Sequence, residues 1–317
     1  MSELRQKLLE LAMSEAAQYG EARSKSVIGK AMGKFPELRK SAKEIMSLID
    51  EVIVEVNQMD PEDLKSFLPE KPSKPKEIVE KELPPLENSD KVVLRFAPGP
   101  SGPLHLGHTR ALALNNYYRN RYNGKLILRL EDTNPNAIDS EAYEMIQSDM
   151  DWLDINPDEV IIQSDRMEIY YEDIRNIISN GGAYVTNSDA EHWRELKNRS
   201  EAHPDRDRDS TVQLSEFEAL LSGGDGIVVI KTDLEDPNPA LRDFVAFRVV
   251  ESPHPRRKDK YRLWPLYNYA VAIDDYRLGI THVLRGKDHL NNTLKQKWIY
   301  KYMGWNEPEY IHYGLVS

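Results

Sequence analysis

The chain has 317 residues, 40% of them apolar and 30% charged, with a net charge of −11 and no cysteine. That length supports two or three domains and a sizeable core, and the composition is that of a soluble globular protein. It contains no apolar run near the ~18 residues that cross a membrane, and no disulfide or thiolate zinc site. The acidic balance excludes a general nucleic-acid binder but leaves room for contact through local basic patches. No signal-peptide apolar region opens the chain, so a cytoplasmic location is expected.

Residues 1–60 read as an N-terminal helical domain. Leu4, Leu8 and Leu11, then Leu38, Ile45, Leu48, Ile49 and Val52, recur at helical spacing, and Gly29, Gly33 and Pro36 are expected to break the run. Nothing in this segment looks catalytic. Residues 61–90 read as a linker, with Pro61, Pro69, Pro72, Pro75, Pro84 and Pro85 set among Lys and Glu.

From Lys91 the pattern changes to strands alternating with helices. Val92–Phe96 is a strand, His105–Tyr122 a helix ended by Asn123-Gly124, and Lys125–Leu130 the next strand. Asp139–Leu153 is a helix, Val160–Gln163 a strand and Arg166–Ser179 a helix. Short strands with helical crossovers imply an α/β fold whose parallel sheet binds ligands at the carboxyl ends of its strands. The alternation breaks down over residues 183–262. There Ile227–Thr232 and Phe244–Val250 are strands with no helix between them, which reads as a small α+β insertion. The sheet is expected to resume from Leu263, with Trp264–Ile273 and Ile280–Leu284 as apolar runs, a helix over Asp288–Tyr302 and a last strand near Tyr310.

One stretch organises the rest: Phe96-Ala-Pro-Gly-Pro-Ser-Gly-Pro-Leu-His-Leu-Gly-His-Thr-Arg110. It joins an apolar strand to a helix by a turn rich in Pro and Gly. A helix N-terminus offers free N–H groups and partial positive charge, so it suits phosphate. His105 and His108 share one face of the first turn, and Gly107 would let a flat ring approach the backbone. A bare His-x-x-His is most simply two capping histidines. The whole string Pro98-Gly-Pro-Ser-Gly-Pro-Leu-His-Leu-Gly-His108 is far more specific, and it resembles the first signature of class I aminoacyl-tRNA synthetases. With Arg95 and Ala97 before it, the segment resembles the glutamyl/glutaminyl branch in its archaeal form, that of archaeal-type glutamyl-tRNA synthetases.

The resemblance implies a Rossmann-type catalytic domain in two halves, 91–182 and 263–317, around an inserted domain, 183–262, that grips the acceptor end of tRNA. It implies ATP, with Mg²⁺, and L-glutamate as substrates, and tRNA(Glu), with tRNA(Gln) as a further candidate, as acceptor. His105, Gly107 and His108 would line the ATP site, and Arg95, Ala97, Glu131, Tyr267 and Arg285 would surround the amino acid. These residue types suit that chemistry on their own terms. Arginines at strand ends can pair with a carboxylate, Glu131 can accept from an α-ammonium, and Tyr267 can close a pocket; read alone, Arg95 also fits a salt bridge to a structural acid, Glu131 a helix cap and Tyr267 a core tyrosine. Trp264 is read as core. Many members of the family hold zinc in the insertion. Here the matching positions are Thr186, Ser188, His203 and Asp205, whose hydroxyls are poor ligands, so no zinc is expected. Pro253–Arg262 carries five basic residues and one acid, and Arg256, Arg257 and Lys258 are candidate contacts for tRNA phosphates. Leu130-Glu-Asp-Thr133 and Pro100-Ser-Gly-Pro103 favour the glutamyl over the glutaminyl side.

The resemblance covers residues 91–317 and, more weakly, the N-terminal segment, a possible docking place for tRNA or a partner protein. The second class I signature, Lys-Met-Ser-Lys-Ser, does not occur, nor does an anticodon-binding domain follow. The expectation is therefore part of a longer glutamate–tRNA ligase that by itself activates amino acid poorly. The alternatives are a glutaminyl-tRNA synthetase, a truncated paralogue that glutamylates a tRNA base, and a non-catalytic binding module for tRNA or a partner.

Overall fold

The fold was analysed in a computed structural model that describes residues 3–35, 42–64, 67, 83–188 and 190–314. It divides into two compact units, Met1–Pro84 and Pro85–Ser317. The first is helical: α1 (Glu3–Tyr19), α2 (Ser24–Lys34), α3 (Ala42–Val56) and the single turn α4 (Pro61–Leu64). Leu8, Ala12 and Ala16 of α1 recur every four residues and are buried, as are Ile45, Ile49, Val52 and Val56 of α3. Each series is the apolar stripe that a helix turns toward a core.

The two glycines do not themselves break the helix, which runs on to Lys34. Gly29 and Gly33 lie inside α2, where a Cβ would meet nothing. Glycine costs a helix about 1 kcal/mol relative to alanine, and the buried Val27 and Ala31 hold α2 regardless. An earlier turn, between α1 and α2, falls at Gly20, whose φ of +85° favours glycine. Asn57 clamps that turn, accepting from the Ala22 N–H at 2.8 Å and donating to the Ala22 carbonyl at 3.1 Å. Leu38 and Pro36 lie outside the described residues, as do Pro69, Pro72 and Pro75 of the linker. Pro61, read as its first residue, opens α4 instead, a position where its missing N–H costs nothing.

The second unit begins with β1 (Val93–Phe96), α5 (Leu106–Tyr122), β2 (Lys125–Leu130), α6 (Ala142–Trp152), β3 (Glu159–Ile162) and α7 (Met167–Ser179). The three strands pair in parallel in the order β1-β2-β3. Asn123 caps α5 in the left-handed conformation, φ 47°. At Gly124 a Cβ would sit 2.6 Å from the Val92 carbonyl oxygen, which accepts from Lys125 N–H to open β2. The inserted part is β4 (Ala183–Thr186), α8 (Ala190–Asn198), α9 (Ser210–Leu221), β5 (Ile227–Ile230), β6 (Phe244–Val249) and β7 (Leu263–Pro265), whose strands form one antiparallel sheet. Then follow α10 (Tyr267–Arg277), β8 (His282–Gly286), α11 (Leu290–Met303) and β9 (Glu309–Tyr313). β8 and β9 pair in parallel. Thr281 joins them to β1: its N–H donates to Val93 O at 3.0 Å and its hydroxyl accepts from Val93 N–H at 2.8 Å.

Two expectations for residues 263–273 are corrected. Leu263–Pro265 pairs with β6 and so closes the inserted sheet; the parallel sheet resumes only at His282. Residues 267–277 form a helix. Its residues Tyr269–Asp275 are all buried, so it is enclosed on every side and shows no amphipathic period. Trp264 is core as read, 1% exposed and stacked on His254. Buried Tyr171, Phe217, Val228, Phe247 and Tyr269 hold the inserted sheet against α7, α9 and α10. Of the four positions matched to zinc ligands, Thr186 accepts from Ser188 N–H at 3.1 Å, His203 Nδ1 accepts from Asp205 N–H at 3.1 Å, and Asp205 pairs with Arg208. Three of the four are thus engaged in local bonds. Among the described residues no helix is long and apolar enough to cross a membrane.

Candidate active site

At the carboxyl ends of β1, β2 and β8 lies a cleft of about 710 Å³. His105, Gly107 and His108 line one side of it; Arg95, Ala97, Glu131, Tyr267 and Arg285 line the other. The eight residues read as ATP- and glutamate-binding therefore meet in one place, drawn from five strand or helix ends. Pro98 and Gly99 also line it. The rest of the signature, Pro100, Ser101, Gly102, Pro103 and Leu104, shapes the turn. Pro98 and Pro100 carbonyls accept from Glu131 and Asp139 N–H, and Leu104 N–H donates to Asp149 Oδ2 at 2.7 Å.

The two histidines cap α5 reciprocally. His105 Nδ1 accepts from Gly107 N–H at 3.0 Å, and His108 Nδ1 accepts from His105 N–H at 3.3 Å. Their rings stack with centroids 3.9 Å apart. An accepting Nδ1 places the proton of a neutral ring on Nε2, so each imidazole keeps one N–H donor. Burial, and then His105 beside it, lowers the His108 pKa, which favours that neutral form. The ring that lies against Gly107 is His105's own: a Cβ there would stand 2.8 Å from it. Capping and ligand binding are thus compatible, since one uses Nδ1 and the other Nε2.

The floor of the cleft is a buried ionic network. Asp275 Oδ1 accepts from Arg95 Nε at 3.1 Å and from Arg129 Nη1 at 2.6 Å; Arg129 Nη2 donates to Glu131 at 3.0 Å. Arg129 and Asp275 are fully buried. Burial raises the Asp275 pKa, but Arg95 and Arg129 outweigh it and the carboxyl ends below its ordinary value. For Glu131 burial wins over Arg129 and Arg95, and its pKa is raised. Two cations and two anions balance here.

Arg285 stands outside that balance. It is 5% exposed, Nη2 donates to Thr293 Oγ1 at 2.5 Å and Gln296 Oε1 at 3.0 Å, and its Cζ lies 4.9 Å from the Tyr310 ring centre. Its Nε and Nη1 are buried without a hydrogen-bond partner among the described residues. Burial and the Arg95 charge lower its pKa. A buried cation with unmet donors in a cleft wall can pair with an anion. Tyr267 opens α10 beside it, its hydroxyl 3.2 Å from His289 Nδ1.

Several contributors escaped sequence reading. Arg129 and Asp275 lie in apolar stretches, and a charge in such a run was the available signal. His289, Thr293 and Gln296 share a helix face at i, i+4, i+7. The candidate tRNA-contacting residues are not in the cleft. Arg256 and Arg257 both pair with Asp165, and Arg257 Nε also donates to Ser164 O at 3.0 Å; Lys258 is exposed and closes the turn, its backbone bonded to that of His254. His254 roots this loop beneath β2, its Nε2 3.0 Å from Asp132 O.

Comparison with known proteins supplies the context. The family described as tRNA synthetases class I (E and Q), catalytic domain, matches residues 91–317. The chain is 48% identical over 319 residues to the glutamate–tRNA ligase of Methanocaldococcus jannaschii, covering 99% of this chain and 58% of that protein. It is 44% identical over 335 residues to that of Thermococcus kodakarensis, covering 100% and 58%. The chain thus spans about 58% of the length of these curated relatives. Among solved structures, a glutamate tRNA ligase from Elizabethkingia meningosepticum, in complex with its amino acid, superposes with a TM-score of 0.56 at 24% identity. The match covers 72% of this chain and 50% of that one, a likeness of fold.

Proposed function

Because the chain belongs to the class I tRNA synthetases (E and Q), through their catalytic domain, we propose that it carries the site that activates L-glutamate with ATP and transfers it to the 3′ end of tRNA(Glu). In the first step a glutamate α-carboxylate oxygen attacks the α-phosphorus. The new O–P bond forms as the bond to the β-phosphate oxygen breaks, and pyrophosphate leaves. No proton needs to be abstracted, so catalysis is positioning and stabilisation of charge on phosphate oxygens. His105 and His108 donate through Nε2 to the phosphates at the positive end of α5. Mg²⁺ arrives with the triphosphate as part of the substrate.

The observation that carries the choice of amino acid is Arg285. Glutamate brings one net negative charge, and beyond the balanced network the cleft wall holds Arg285, a buried cation with no carboxylate ion pair among the described residues and with two donors to spare. Glu131 receives the α-ammonium, Arg285 and Arg95 the side-chain carboxylate, and Tyr267 flanks both. A neutral glutamine side chain would leave the Arg285 charge buried without an anion, a loss of the kind that costs several kcal/mol. Calorimetric titration with non-hydrolysable glutamyl- and glutaminyl-adenylate analogues tests this. The glutamyl form should bind at least tenfold more tightly; equal binding or the reverse order would remove the basis of the assignment.

A further inference from the structure

The two side chains that hold Arg285 are both uncharged. Gln296 is fully buried; its Oε1 accepts from Arg285 Nη2, and its Nε2 faces Asn268 Oδ1 at 3.4 Å, which fixes the amide with its oxygen toward the guanidinium. Thr293, 5% exposed, accepts from the same nitrogen and touches His312 Nε2 at 2.8 Å and His289 O at 3.2 Å. Among the described residues no carboxylate forms an ion pair with Arg285. The buried acid whose charge it feels, Asp275, is already held by Arg95 and Arg129.

A buried arginine usually has a carboxylate partner, because an uncompensated charge is costly. Here two neutral acceptors fix the guanidinium plane and leave its charge for a ligand. We propose that Gln296, with Thr293 beside it, is a specificity-determining residue: it orients Arg285 without neutralising it, and so keeps the cleft selective for an amino acid with an anionic side chain. The inference rests on the glutamate reading above and deepens it. Gln296 touches no substrate and acts only through Arg285, so it is a positioning residue.

The experiment compares the Kd values of the glutamyl- and glutaminyl-adenylate analogues for wild type, Gln296→Glu and Gln296→Met, with thermal unfolding checked for each. Gln296→Glu supplies the missing anion and should cut the glutamyl-over-glutaminyl preference at least tenfold. Gln296→Met removes the acceptor but adds no charge; it should weaken both analogues and keep the preference. Thr293→Asp puts the same charge at the neighbouring acceptor and gives the same reading should Gln296→Glu fail to fold. A wild-type preference left unchanged by the carboxylate variants, or lost equally in the Met variant, overturns the inference while leaving the glutamate reading in place. A wild type with no preference overturns that reading, and this inference with it.

Discussion

Replacing Asp275 by Asn should be among the most damaging single changes in the second unit. Asp275 Oδ1 accepts from both Arg95 and Arg129, and the carboxylate is fully buried. The substitution keeps the shape but removes the charge. Glu131 is then the only carboxylate hydrogen-bonded to the two buried guanidiniums among the described residues, and the network passes from neutral to one net positive charge. Breaking a buried pair by neutralising one partner costs about 3–5 kcal/mol, because the other charge cannot recover its hydration. For a unit of this size the urea slope is about 3 kcal/mol per M, so the midpoint should fall by about 1 M or more. The assay is urea denaturation followed by near-ultraviolet circular dichroism, which weights the many aromatic side chains of the second unit. The pH dependence carries its own sign. The Asp275 pKa is depressed below its ordinary 3.8, so its contribution is present above that value and is lost as pH falls through the lower folded value. The gap between wild type and variant should therefore narrow below about pH 3.8. A midpoint shift under 0.3 M, worth about 1 kcal/mol on that slope, would refute the view that the floor of the cleft is held by this carboxylate.

His105→Asn should separate capping from nucleotide binding. Asparagine is a good N-cap, so stability should stay within about 0.5 kcal/mol, while ATP affinity falls with the lost Nε2 donor; unchanged affinity would count against the phosphate role. Gly107→Ala should displace the His105 ring, since the added Cβ would stand 2.8 Å from it, and lower the thermal midpoint together with ATP affinity. Changing Arg256, Arg257 and Lys258 together to Gln should weaken tRNA binding and flatten its dependence on salt by about one unit of slope per lost phosphate contact. An unchanged slope would mean that the two arginines serve only to hold Asp165.

The site was more legible than the architecture around it, and the reason is local. Strand, turn and helix around His105 are consecutive in sequence, so their geometry follows from the Pro and Gly residues of the turn and the apolar run before it. Arg95, Glu131 and Arg285 lie at strand ends, where parallel sheets gather their ligands. Asp275 was not legible, because its partners stand 146 and 180 residues away and only the sheet brings them together. The helix Tyr267–Arg277 was missed for a related reason: buried on all sides, it lacks the polar face that would have given it a period. The glycines of α2 misled in the opposite direction, since packing by Val27 and Ala31 overrode a local preference. The role proposed for Gln296 depends on Arg285 having no carboxylate in an ion pair among the described residues, which no sequence spacing conveys.

The most direct test of the central claim is a crystal structure of the chain with a non-hydrolysable glutamyl-adenylate analogue. The account predicts the side-chain carboxylate on the Arg285 guanidinium, whose buried Nε and Nη1 turn toward it, the α-ammonium on Glu131, and phosphate oxygens at the Nε2 atoms of His105 and His108. An analogue bound with its carboxylate away from Arg285, those two donors still unmet, would contradict it.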